Sequence, residues 1–243
     1  MTRFFITADM LRSDTPELEG ENARHAMVLR LKEGERILLC DGQGNEALCR
    51  VSSVCDNNIR LTVEQRQRSQ SEPAVRVSVY VAFPKADKLE HVSQKATELG
   101  AYEIVAFPSE RCVSKPDEKS LKKKLERWQK IAASAAEQSG RGRIPDVLVL
   151  GSFAEALKRA SGADKALMFY ENETATTLKM ALSSGAYQTV SLLTGPEGGL
   201  ESREIQKATD AGLTICTLGK RILRCETAPL CALSAIMYDA GEF

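Results

Sequence analysis

The spacing of apolar residues changes near residue 75, and this change limits the possible folds more than any other feature of the sequence. Before it, apolar and polar residues alternate in short segments separated by turns, which is the period of half-buried antiparallel strands. After it, short apolar runs alternate with segments of helical spacing. The chain is therefore predicted to form a small, mostly β unit, a barrel or a curled sheet, followed by an α/β unit with a parallel sheet covered on both faces.

The boundary between the predicted units lies in a polar segment. Residues 66–74 carry polar side chains that lead to Pro73, a composition typical of linkers. The predicted domains are residues 1–70 and 75–243, joined by residues 71–74. In the first domain, a helix is predicted at residues 22–29 and strands within residues 36–51 and 58–64. In the second, strands are predicted at residues 75–82, 102–107, 146–150, 165–170, 188–194 and 213–218, and helices at residues 85–99, 119–138, 152–160, 201–211 and 227–240.

The sequence Gly-Gln-Gly-Asn-Glu-Ala at residues 42–47 fits a dinucleotide-binding fingerprint, but its context does not. That fingerprint must follow a strand and open a helix. Residues 47–54 instead continue as an alternating strand. We therefore predict a glycine turn between the two strands of a hairpin.

Composition argues against several classes of protein. No apolar run approaches the roughly 18 residues that cross a bilayer, and the apolar part of the N-terminus is too short for a signal peptide, so a cytoplasmic protein is expected. The seven cysteines are odd in number and form no Cys-x-x-Cys pair, which disfavours a disulfide framework and a zinc ribbon. His25 and His91 are the only histidines and lie far apart, so no metal site is expected.

Positive charge is concentrated in one stretch of an otherwise neutral chain. The formal net charge is zero, whereas residues 111–143 hold ten Lys or Arg against four Asp or Glu. A local basic face of this kind can follow the phosphates of a nucleic acid. It can equally be the solvated face of a helix, and charge alone leaves both interpretations open.

The first candidate ligand loop follows the strand predicted at residues 188–194. This strand runs into Gly195, Gly198 and Gly199 with a proline between them. Glycines let backbone groups approach a ligand without an intervening Cβ, and ligands bind beyond the carboxyl ends of parallel strands. Glu197 lies in the middle and would repel a phosphate, so a neutral or cationic ligand is favoured. The alternative is a tight turn without function.

The second candidate loop follows the last predicted strand and spans residues 218–226. Arg221, Arg224 and Glu226 share it with the aliphatic Ile222 and Leu223, a combination typical of a pocket floor beside a charged rim. The alternative is a partly buried turn with surface charges. Thr227 is predicted to cap the last helix, with Pro229 tolerated in its first turn.

Several segments, each weak alone, together resemble one known family in their order along nearly the whole chain. They are Gln94-Lys-Ala-Thr-Glu-Leu-Gly, Ser109-Glu-Arg-Cys, Trp128-Gln-Lys-Ile-Ala, Glu137-Gln-Ser-Gly-Arg, Ile144-Pro, Gly195-Pro-Glu-Gly-Gly and Leu218-Gly-Lys-Arg-Ile-Leu-Arg-Cys-Glu-Thr-Ala. The family is that of the RsmE-type ribosomal RNA methyltransferases of the SPOUT superfamily. The chain departs from it by having Glu201 before Ser202, which leaves the start of the following helix open by one residue.

The resemblance implies both an activity and a fold. The activity is methylation of N3 of a uridine in the decoding region of 16S ribosomal RNA in the small subunit, with S-adenosyl-L-methionine as the cofactor. The fold is a PUA-like β-barrel that binds RNA, followed by an α/β domain whose last segment forms a deep trefoil knot, an exception to the usual topology rules. The resemblance also implies a homodimer with the site near the subunit interface. A methyltransferase of the same superfamily that acts on another RNA and a non-catalytic RNA-binding assembly factor remain alternatives.

The resemblance also assigns candidate roles to the residues of the two loops. The cofactor is expected to contact Leu193, Thr194, Gly195, Pro196, Glu197, Gly198, Gly199, Leu218, Gly219, Ile222, Leu223, Thr227 and Ala228. No histidine lies in the motifs, so Arg224 or Arg111 is expected to favour the uridine anion by donating to a carbonyl oxygen. Glu226 or Glu197 would orient that arginine or accept the proton. For Arg111, a contact to an RNA phosphate is an equal alternative.

The candidate RNA contacts are cationic and polar residues of the second predicted domain. They are Lys85, Lys88, Lys95, Arg111, Gln138, Arg141, Arg143 and Arg221. The sequence leaves open which group is the catalytic base, whether free RNA or the assembled small subunit is the substrate, and which subunit supplies each substrate contact.

Overall fold

The computed structural model describes residues 1–55, 58–113 and 117–243, and the chain divides into two compact units. The first unit contains Met1–Glu72 together with Ala136–Ile144, and the second contains Pro73–Ala135 together with Pro145–Phe243. The sequence pattern placed residues 75–243 in one uninterrupted domain. The return of Ala136–Ile144 to the first unit is a difference that the local pattern did not indicate.

The first unit is a five-stranded sheet with two short helices. Its strand order is β1-β3-β4-β5-β2, in which β1 and β3 are parallel and all other neighbours antiparallel. The elements are β1 (Arg3–Phe5), α1 (Ala8–Arg12), β2 (Glu17–Glu19), α2 (Gly20–Val28), β3 (Arg36–Cys40), β4 (Asn45–Cys55) and β5 (Asn58–Arg68). The largest fully buried side chains of its core are Phe4, Leu18, Ile37, Leu39, Ile59 and Leu61.

The hairpin predicted in place of a dinucleotide site is confirmed, because β3 and β4 pair across the glycines. Gly42 and Gly44 have φ values of +72° and +90°, which other residues rarely adopt. The Asp41 carboxylate accepts hydrogen bonds from the amides of Gln43 (2.7 Å) and Asn45 (3.1 Å). The polar segment with linker-like composition begins at residue 66, but its first residues, 66–68, continue β5 in register with residues 45–47 of β4.

Residues 139–144 join the first unit through backbone hydrogen bonds to the hairpin turn. The Gly44 amide donates to the Gly142 carbonyl (3.1 Å), and the Ile144 amide donates to the Gly42 carbonyl (3.0 Å). These bonds satisfy backbone groups of a glycine-rich turn that would otherwise face solvent. They explain why this segment belongs with the sheet that the hairpin forms.

A carboxylate closes the same segment from the other side. Glu72 accepts hydrogen bonds from the amides of Gly142 (2.9 Å) and Arg143 (3.0 Å), and from Nη2 of Arg141 (2.7 Å). The Arg141 side chain is only 4% exposed. Arg141 was predicted to contact RNA, and in the structure its guanidinium is buried against Glu72.

The second unit is built on a six-stranded sheet in which all neighbouring strands are parallel. Its strand order is β11-β9-β10-β6-β7-β8. The elements are β6 (Arg76–Ala82), α3 (Lys88–Glu98), β7 (Glu103–Phe107), α4 (Glu118–Gln138), β8 (Asp146–Val149), α5 (Phe153–Ala160), β9 (Lys165–Phe169), α6 (Leu178–Leu182), β10 (Thr189–Thr194), α7 (Ser202–Asp210), β11 (Thr214–Cys216) and α8 (Thr227–Asp239). The predicted parallel α/β sheet is therefore confirmed.

The strands of this sheet are buried because helices cover them. Helix α8 packs against α3 and α6 and also against β6 and β10. Trp128 and Ala132 of α4 belong to the same core. Two differences from the sequence prediction are that α3 begins at Lys88 rather than at residue 85, and that α6 was not predicted. Because all strands are parallel, the carboxyl ends of β9, β10 and β11 lie on one edge, where a ligand site is expected.

Candidate functional site

A pocket of about 510 Å³ lies at the carboxyl ends of β9, β10 and β11. The loop after β10 and the loop after β11 form opposite walls, and the end of β9 contributes between them. Its lining is Lys88, Phe169, Tyr170, Glu171, Thr194, Gly195, Pro196, Glu197, Gly198, Gly199, Leu218, Arg221, Ile222, Leu223, Arg224, Cys225 and Ala228. The two loops that the sequence marked as unusual strand ends thus meet in one cavity.

The glycines of the loop after β10 are required by close packing. A Cβ added to Gly195 would lie 2.9 Å from Cγ of Leu200, and one added to Gly198 would lie 3.0 Å from Cβ of Arg111. Gly199 has a φ of +70°, and its added Cβ would collide with the Glu171 carboxylate. The loop therefore presents bare backbone to the pocket, which a plain turn with one glycine would not need.

Arg111 holds this glycine loop in place. It follows β7, and its Nε donates to Glu201 Oε1 (2.7 Å) while its Nη1 donates to the Gly198 carbonyl (2.9 Å). The hydrogen bond to Glu201 is the main cause that raises the pKa of Arg111. Arg111 was a candidate for contacting the uridine or a phosphate, and in the structure its donors are directed at the loop instead.

The structure shows where α7 begins, which the presence of Glu201 before Ser202 had left open by one residue. Glu201 is the N-cap residue and α7 begins at Ser202. The buried Glu204 carboxylate accepts hydrogen bonds from the Glu201 amide (2.9 Å) and from the Glu110 amide (3.0 Å). A carboxylate in the first turn compensates for the absence of a serine cap, since it satisfies an exposed amide and favours the helix dipole.

Lys88 connects the two loops of the pocket. Its Nζ lies 3.0 Å from Glu197 Oε1 in the loop after β10 and 3.0 Å from Glu226 Oε2 in the loop after β11. It also donates to Sγ of Cys225 (3.5 Å). The Lys88 side chain is 27% exposed, so water screens these contacts only in part. A single cation from α3 therefore joins segments that lie far apart in the sequence.

The carboxylates that face Lys88 stay ionised. Burial raises the pKa of Glu197, but hydrogen bonds from the Lys85 amide and from Lys88 outweigh it and lower the pKa to about 2. Glu226 behaves in the same way, since burial is opposed by hydrogen bonds from its own amide and from Lys88, and its pKa is also lowered. The hydrogen bonds to Glu197 and Glu226 in turn raise the pKa of Lys88. The network is fully charged near neutral pH.

Two arginines at the pocket rim are available to bind a ligand. Arg221 and Arg224 are exposed and line the cavity. Neither guanidinium forms a hydrogen bond or an ion pair with any side chain that the structure describes. Ile222 lies between them and is 84% exposed, while Leu218 and Leu223 are half-buried. The rim thus combines free cations with apolar surface, which suits a ligand that has a planar or aliphatic part and carbonyl or phosphate oxygens.

The chain matches two families of known proteins. Residues 70–237 match the RNA methyltransferase domain, and residues 18–64 match the RNA methyltransferase PUA domain. The chain belongs to the RNA methyltransferase family.

Relatives of this RNA methyltransferase cover nearly its whole length. Ribosomal RNA small subunit methyltransferase E of Bacillus subtilis is 38% identical over 98% of this chain and 97% of its own, and that of Mycobacterium bovis is 35% identical over 90% and 84%. The solved structure of ribosomal RNA small subunit methyltransferase E from Neisseria gonorrhoeae, bound to S-adenosyl methionine, is 33% identical with a TM-score of 0.85, over 98% of this chain and 97% of that one. Full-length likeness places the chain in this methyltransferase E family.

Most residues predicted to contact a cofactor line the pocket of this RNA methyltransferase, and three do not. Leu193 is fully buried in β10, Thr227 is the first residue of α8 behind the N-cap Glu226, and Gly219 lies outside the lining. The prediction that Thr227 caps α8 was therefore wrong by one residue. It failed because a proline is tolerated throughout the first turn of a helix, so Pro229 does not determine which residue is the N-cap.

Sequence reasoning missed the wall that follows β9. Phe169, Tyr170 and Glu171 line the pocket, as does Cys225. The segment after β9 contains no glycine that would mark a close approach to a ligand. The only available signal was topological: a parallel strand ending beside β10 must deliver its next residues to the same edge.

The residues predicted to contact RNA differ in their exposure and in the partners of their side chains. Lys88 is committed to the pocket, and the Nζ of Lys95 lies 2.8 Å from Glu98 Oε1 on the same helix. Lys85 and Gln138 are exposed, and Arg143 is half-buried. Of the predicted RNA contacts that line the pocket, Lys88 and Arg221, only Arg221 combines exposure with the absence of a described side-chain partner.

Two features that composition disfavoured are a metal-ligating cluster and a membrane-spanning helix. No group of three or more metal-ligating side chains occurs among the residues that the structure describes. Within the same residues, no helix has the length and apolar character to cross a membrane.

Proposed function

We propose that this chain transfers a methyl group from S-adenosyl-L-methionine to small-subunit ribosomal RNA. The relatives named above are small-subunit ribosomal RNA methyltransferases, and one of them was solved with S-adenosyl methionine bound. The observation that carries the proposal is the pocket between the glycine loop after β10 and the loop after β11. The proposal combines the chemistry of this pocket with the activity in the relatives' names.

The residues of the pocket fit this cofactor. The bare backbone around Gly195, Gly198 and Gly199 offers amides and carbonyls to a ligand that brings its own amino, carboxylate and hydroxyl groups. Leu218 and Leu223 offer apolar surface to a flat ring. The cofactor carries a positive sulfonium, and ionised carboxylates near a cation stabilise it. The same carboxylates would repel a phosphate-rich cofactor.

We place the target atom at N3 of a uridine in the decoding region of 16S ribosomal RNA. S-adenosyl-L-methionine supplies the chemistry with an electrophilic methyl group bonded to a positive sulfur. The chain's own task is to take the base out of its stack, hold N3 in line with the methyl group and exclude water. Loss of the N3 proton leaves negative charge on the uridine carbonyl oxygens, and a guanidinium that donates to one of them stabilises that charge.

Arg224 is the residue best suited to this role. It lines the pocket, is exposed and has no described partner, so its donors remain available for a base. Arg111 is less suited because two of its five N–H donors are already bound to Glu201 and to the Gly198 carbonyl, which orients it toward the loop. Glu197 and Glu226, both bound by Lys88, form no described ion pair with Arg224. Neither carboxylate therefore orients the guanidinium of Arg224 in this structure.

The substitution Arg224→Ala separates catalysis from binding. We expect kcat to fall about a hundredfold, the magnitude typical for loss of one donor to a developing oxyanion. We expect the Kd for S-adenosylhomocysteine, measured by calorimetry, to change less than about threefold. Arg221→Ala, which removes a neighbouring rim cation, serves as the control and should leave more of kcat. Equal losses of kcat and of cofactor affinity in Arg224→Ala would instead make Arg224 part of the cofactor wall.

The target is tested by nucleoside mass spectrometry of 16S ribosomal RNA from cells that lack this protein. We expect 3-methyluridine to disappear and to return when the wild-type chain is supplied. If 3-methyluridine persists while another methylated nucleoside disappears, the chain acts on another site. If the chain binds S-adenosylhomocysteine but no modification changes in any RNA, it is an RNA-binding assembly factor rather than an enzyme.

We extend the proposal to the knot and to the dimer that the family implies. The chain leaves β11 at the sheet edge and returns to pack α8 on β10 and β6, and Thr217 pairs with Thr177 on the way. This return path past the loop after β9 supports a threaded C-terminal segment. Exposed apolar side chains, Ile222 at the pocket rim and Tyr238 on α8, support a homodimer. Light scattering of the purified chain measures its oligomeric state directly.

A further inference from the structure

The outer face of α4 carries a row of lysines. Lys119, Lys122, Lys123 and Lys130 are all exposed. Their spacing of three, four and seven residues puts them on one side of the helix. At about 1.5 Å per residue the row is roughly 16 Å long, which is the length of several nucleotides of one strand. The opposite side of α4 packs into the core through Trp128 and Ala132.

The positions of these lysines oppose the stability of their own helix. Helix α4 begins at Glu118, so Lys119, Lys122 and Lys123 lie in its first two turns. Cations there oppose the helix dipole, which favours negative charge at the amino end. Lysines three and four residues apart also repel one another. A helix face that serves only solubility has no need for this arrangement, because glutamates in the first turn would serve equally well.

The row also remains without counter-charge among the described side chains. No described carboxylate lies within ion-pair distance of Lys119, Lys122, Lys123 or Lys130, although Asp117 and Glu126 line the same shallow depression as the first three. Asp117 instead accepts a hydrogen bond from the Ser120 amide (2.8 Å). Other cations of this unit behave differently, since Lys88, Lys95 and Arg127 each pair with a carboxylate.

We propose that the outer face of α4, formed by Lys119, Lys122, Lys123 and Lys130, binds the sugar–phosphate backbone of the substrate RNA. The proposal rests on the proposed function, because it names RNA as the partner. A polyanion removes both unfavourable terms, the repulsion among the lysines and their opposition to the helix dipole. The face carries no aromatic or amide side chain to read bases, so its contribution is affinity and orientation rather than sequence recognition.

The test is a triple neutral variant, Lys119→Gln/Lys122→Gln/Lys123→Gln, assayed for binding of a 16S ribosomal RNA transcript over a series of KCl concentrations. Removal of three phosphate contacts should reduce the slope of log K against log salt by about 2. Affinity at about 0.1 M salt should fall roughly tenfold to a hundredfold. The melting temperature should stay equal or rise, because charges that oppose the dipole are removed. Binding of S-adenosylhomocysteine should be unchanged.

A matched control removes the same net charge elsewhere on the unit. Lys158, Lys179 and Lys207 are exposed, and Lys158 and Lys207 lie in the last turns of α5 and α7, where they favour the helix dipole. The variant Lys158→Gln/Lys179→Gln/Lys207→Gln should lower the melting temperature slightly and keep most of the RNA affinity and salt slope. Its net charge equals that of the test variant, so any difference between the two reports position rather than total charge.

The outcomes separate this inference from the proposed function. If the wild-type chain binds the transcript and the two variants show equal affinities and slopes, the α4 inference is overturned while the proposed function stands. If the wild-type chain binds S-adenosylhomocysteine but no 16S ribosomal RNA, both fall together. A lower melting temperature in the α4 variant than in the control would overturn the argument from the helix dipole.

Discussion

Identical side chains in this protein have different roles because their neighbours differ. Lys85 lies three residues before Lys88, the first residue of α3, and both were predicted to contact RNA. In the structure Lys85 is exposed and contributes its backbone amide to Glu197 (3.0 Å), whereas the Lys88 side chain bridges Glu197 and Glu226. Nothing in the local sequence separates the two lysines. Only the fold, which brings both loops over the first turn of α3, decides which one becomes part of the pocket.

The substitution Lys88→Met tests whether this bridge maintains the cofactor pocket. Methionine keeps most of the stem but removes the cation that joins Glu197 and Glu226, so these two carboxylates repel each other and the loops separate. Hydrogen bonds to charged groups contribute about 1.5–3 kcal/mol, so we expect affinity for S-adenosylhomocysteine to fall roughly tenfold to a hundredfold in calorimetry. Lys88→Arg, which keeps the charge, should lose less.

Lys85→Met is the matched control for this prediction. It removes an exposed ammonium three residues away and preserves the backbone amide that binds Glu197. We expect its cofactor affinity to match the wild type. Tighter cofactor binding in Lys88→Met would contradict the bridge, since it would mean that Lys88 mainly neutralises carboxylates that the cofactor could otherwise use.

Among the structural elements, the loop between β10 and α7 depends on three glycines for its path. Gly199 is the most constrained, because its φ of +70° is left-handed and its missing side chain leaves room for Glu171. The loop is further tied by Arg111 to the segment after β7. A glycine cluster after a strand could be interpreted in sequence, since only glycine permits such backbone. The side chains that pack against these glycines, Glu171 and Arg111, are remote in sequence, so they could not be identified from the sequence alone.

The substitution Gly199→Ala should affect the pocket more than the fold. A left-handed alanine costs about 1 kcal/mol, and its Cβ would displace Glu171 from the pocket wall. We expect a small loss of stability in urea unfolding and at least a tenfold loss of affinity for S-adenosylhomocysteine.

Gly212→Ala provides the comparison for Gly199→Ala. Gly212 has a similar φ of +86°, but an added Cβ there meets open space, and the residue lies outside the pocket lining. It should therefore show a similar loss of stability with unchanged cofactor affinity. If both variants lose affinity alike, the effect comes from general destabilisation and the contact with Glu171 is irrelevant.

Element predictions failed where an element was short. Helices α1 and α6 have five residues each, and strands β1 and β2 have three each, so none of them is long enough to show a period. The longer elements were predicted to within a few residues, because several turns of a helix or a fully buried strand repeat their pattern. Tertiary contacts rather than local preference stabilise the short elements.

For the whole molecule, the first unit is assembled from two separated parts of the chain. Ala136–Ile144 joins Met1–Glu72 through backbone pairing to the hairpin turn and through Glu72. The sequence marked Arg141 as cationic and therefore as an RNA contact. In the structure its side chain is 4% exposed and paired with Glu72, from which we predict a structural role.

The substitution Arg141→Leu tests this role through stability. Removing the guanidinium leaves the Glu72 carboxylate with only the amides of Gly142 and Arg143 as described donors, and loss of a hydrogen bond between charged groups costs about 1.5–3 kcal/mol. We expect a lower urea midpoint, and salt dependence of RNA binding that matches the wild type under conditions where the variant is folded. Arg143→Leu removes a neighbouring, half-buried arginine for comparison and should cost less stability. A reduced salt slope with unchanged stability in Arg141→Leu would restore the phosphate contact.

The sequence by itself determined the two-part organisation, the parallel sheet and the two loops that line the pocket. Hydrophobic period and glycine placement are local properties, and they persist whatever the rest of the chain does. Only the tertiary structure decided which cationic side chains pair with a carboxylate and which remain available to a ligand or to RNA. Lys88, Arg111 and Arg141 meet carboxylates from distant segments, whereas Arg224 and the lysines of α4 meet none that is described. A charge has a fixed identity in sequence, but its function depends on the groups that the fold brings within about 4 Å of it.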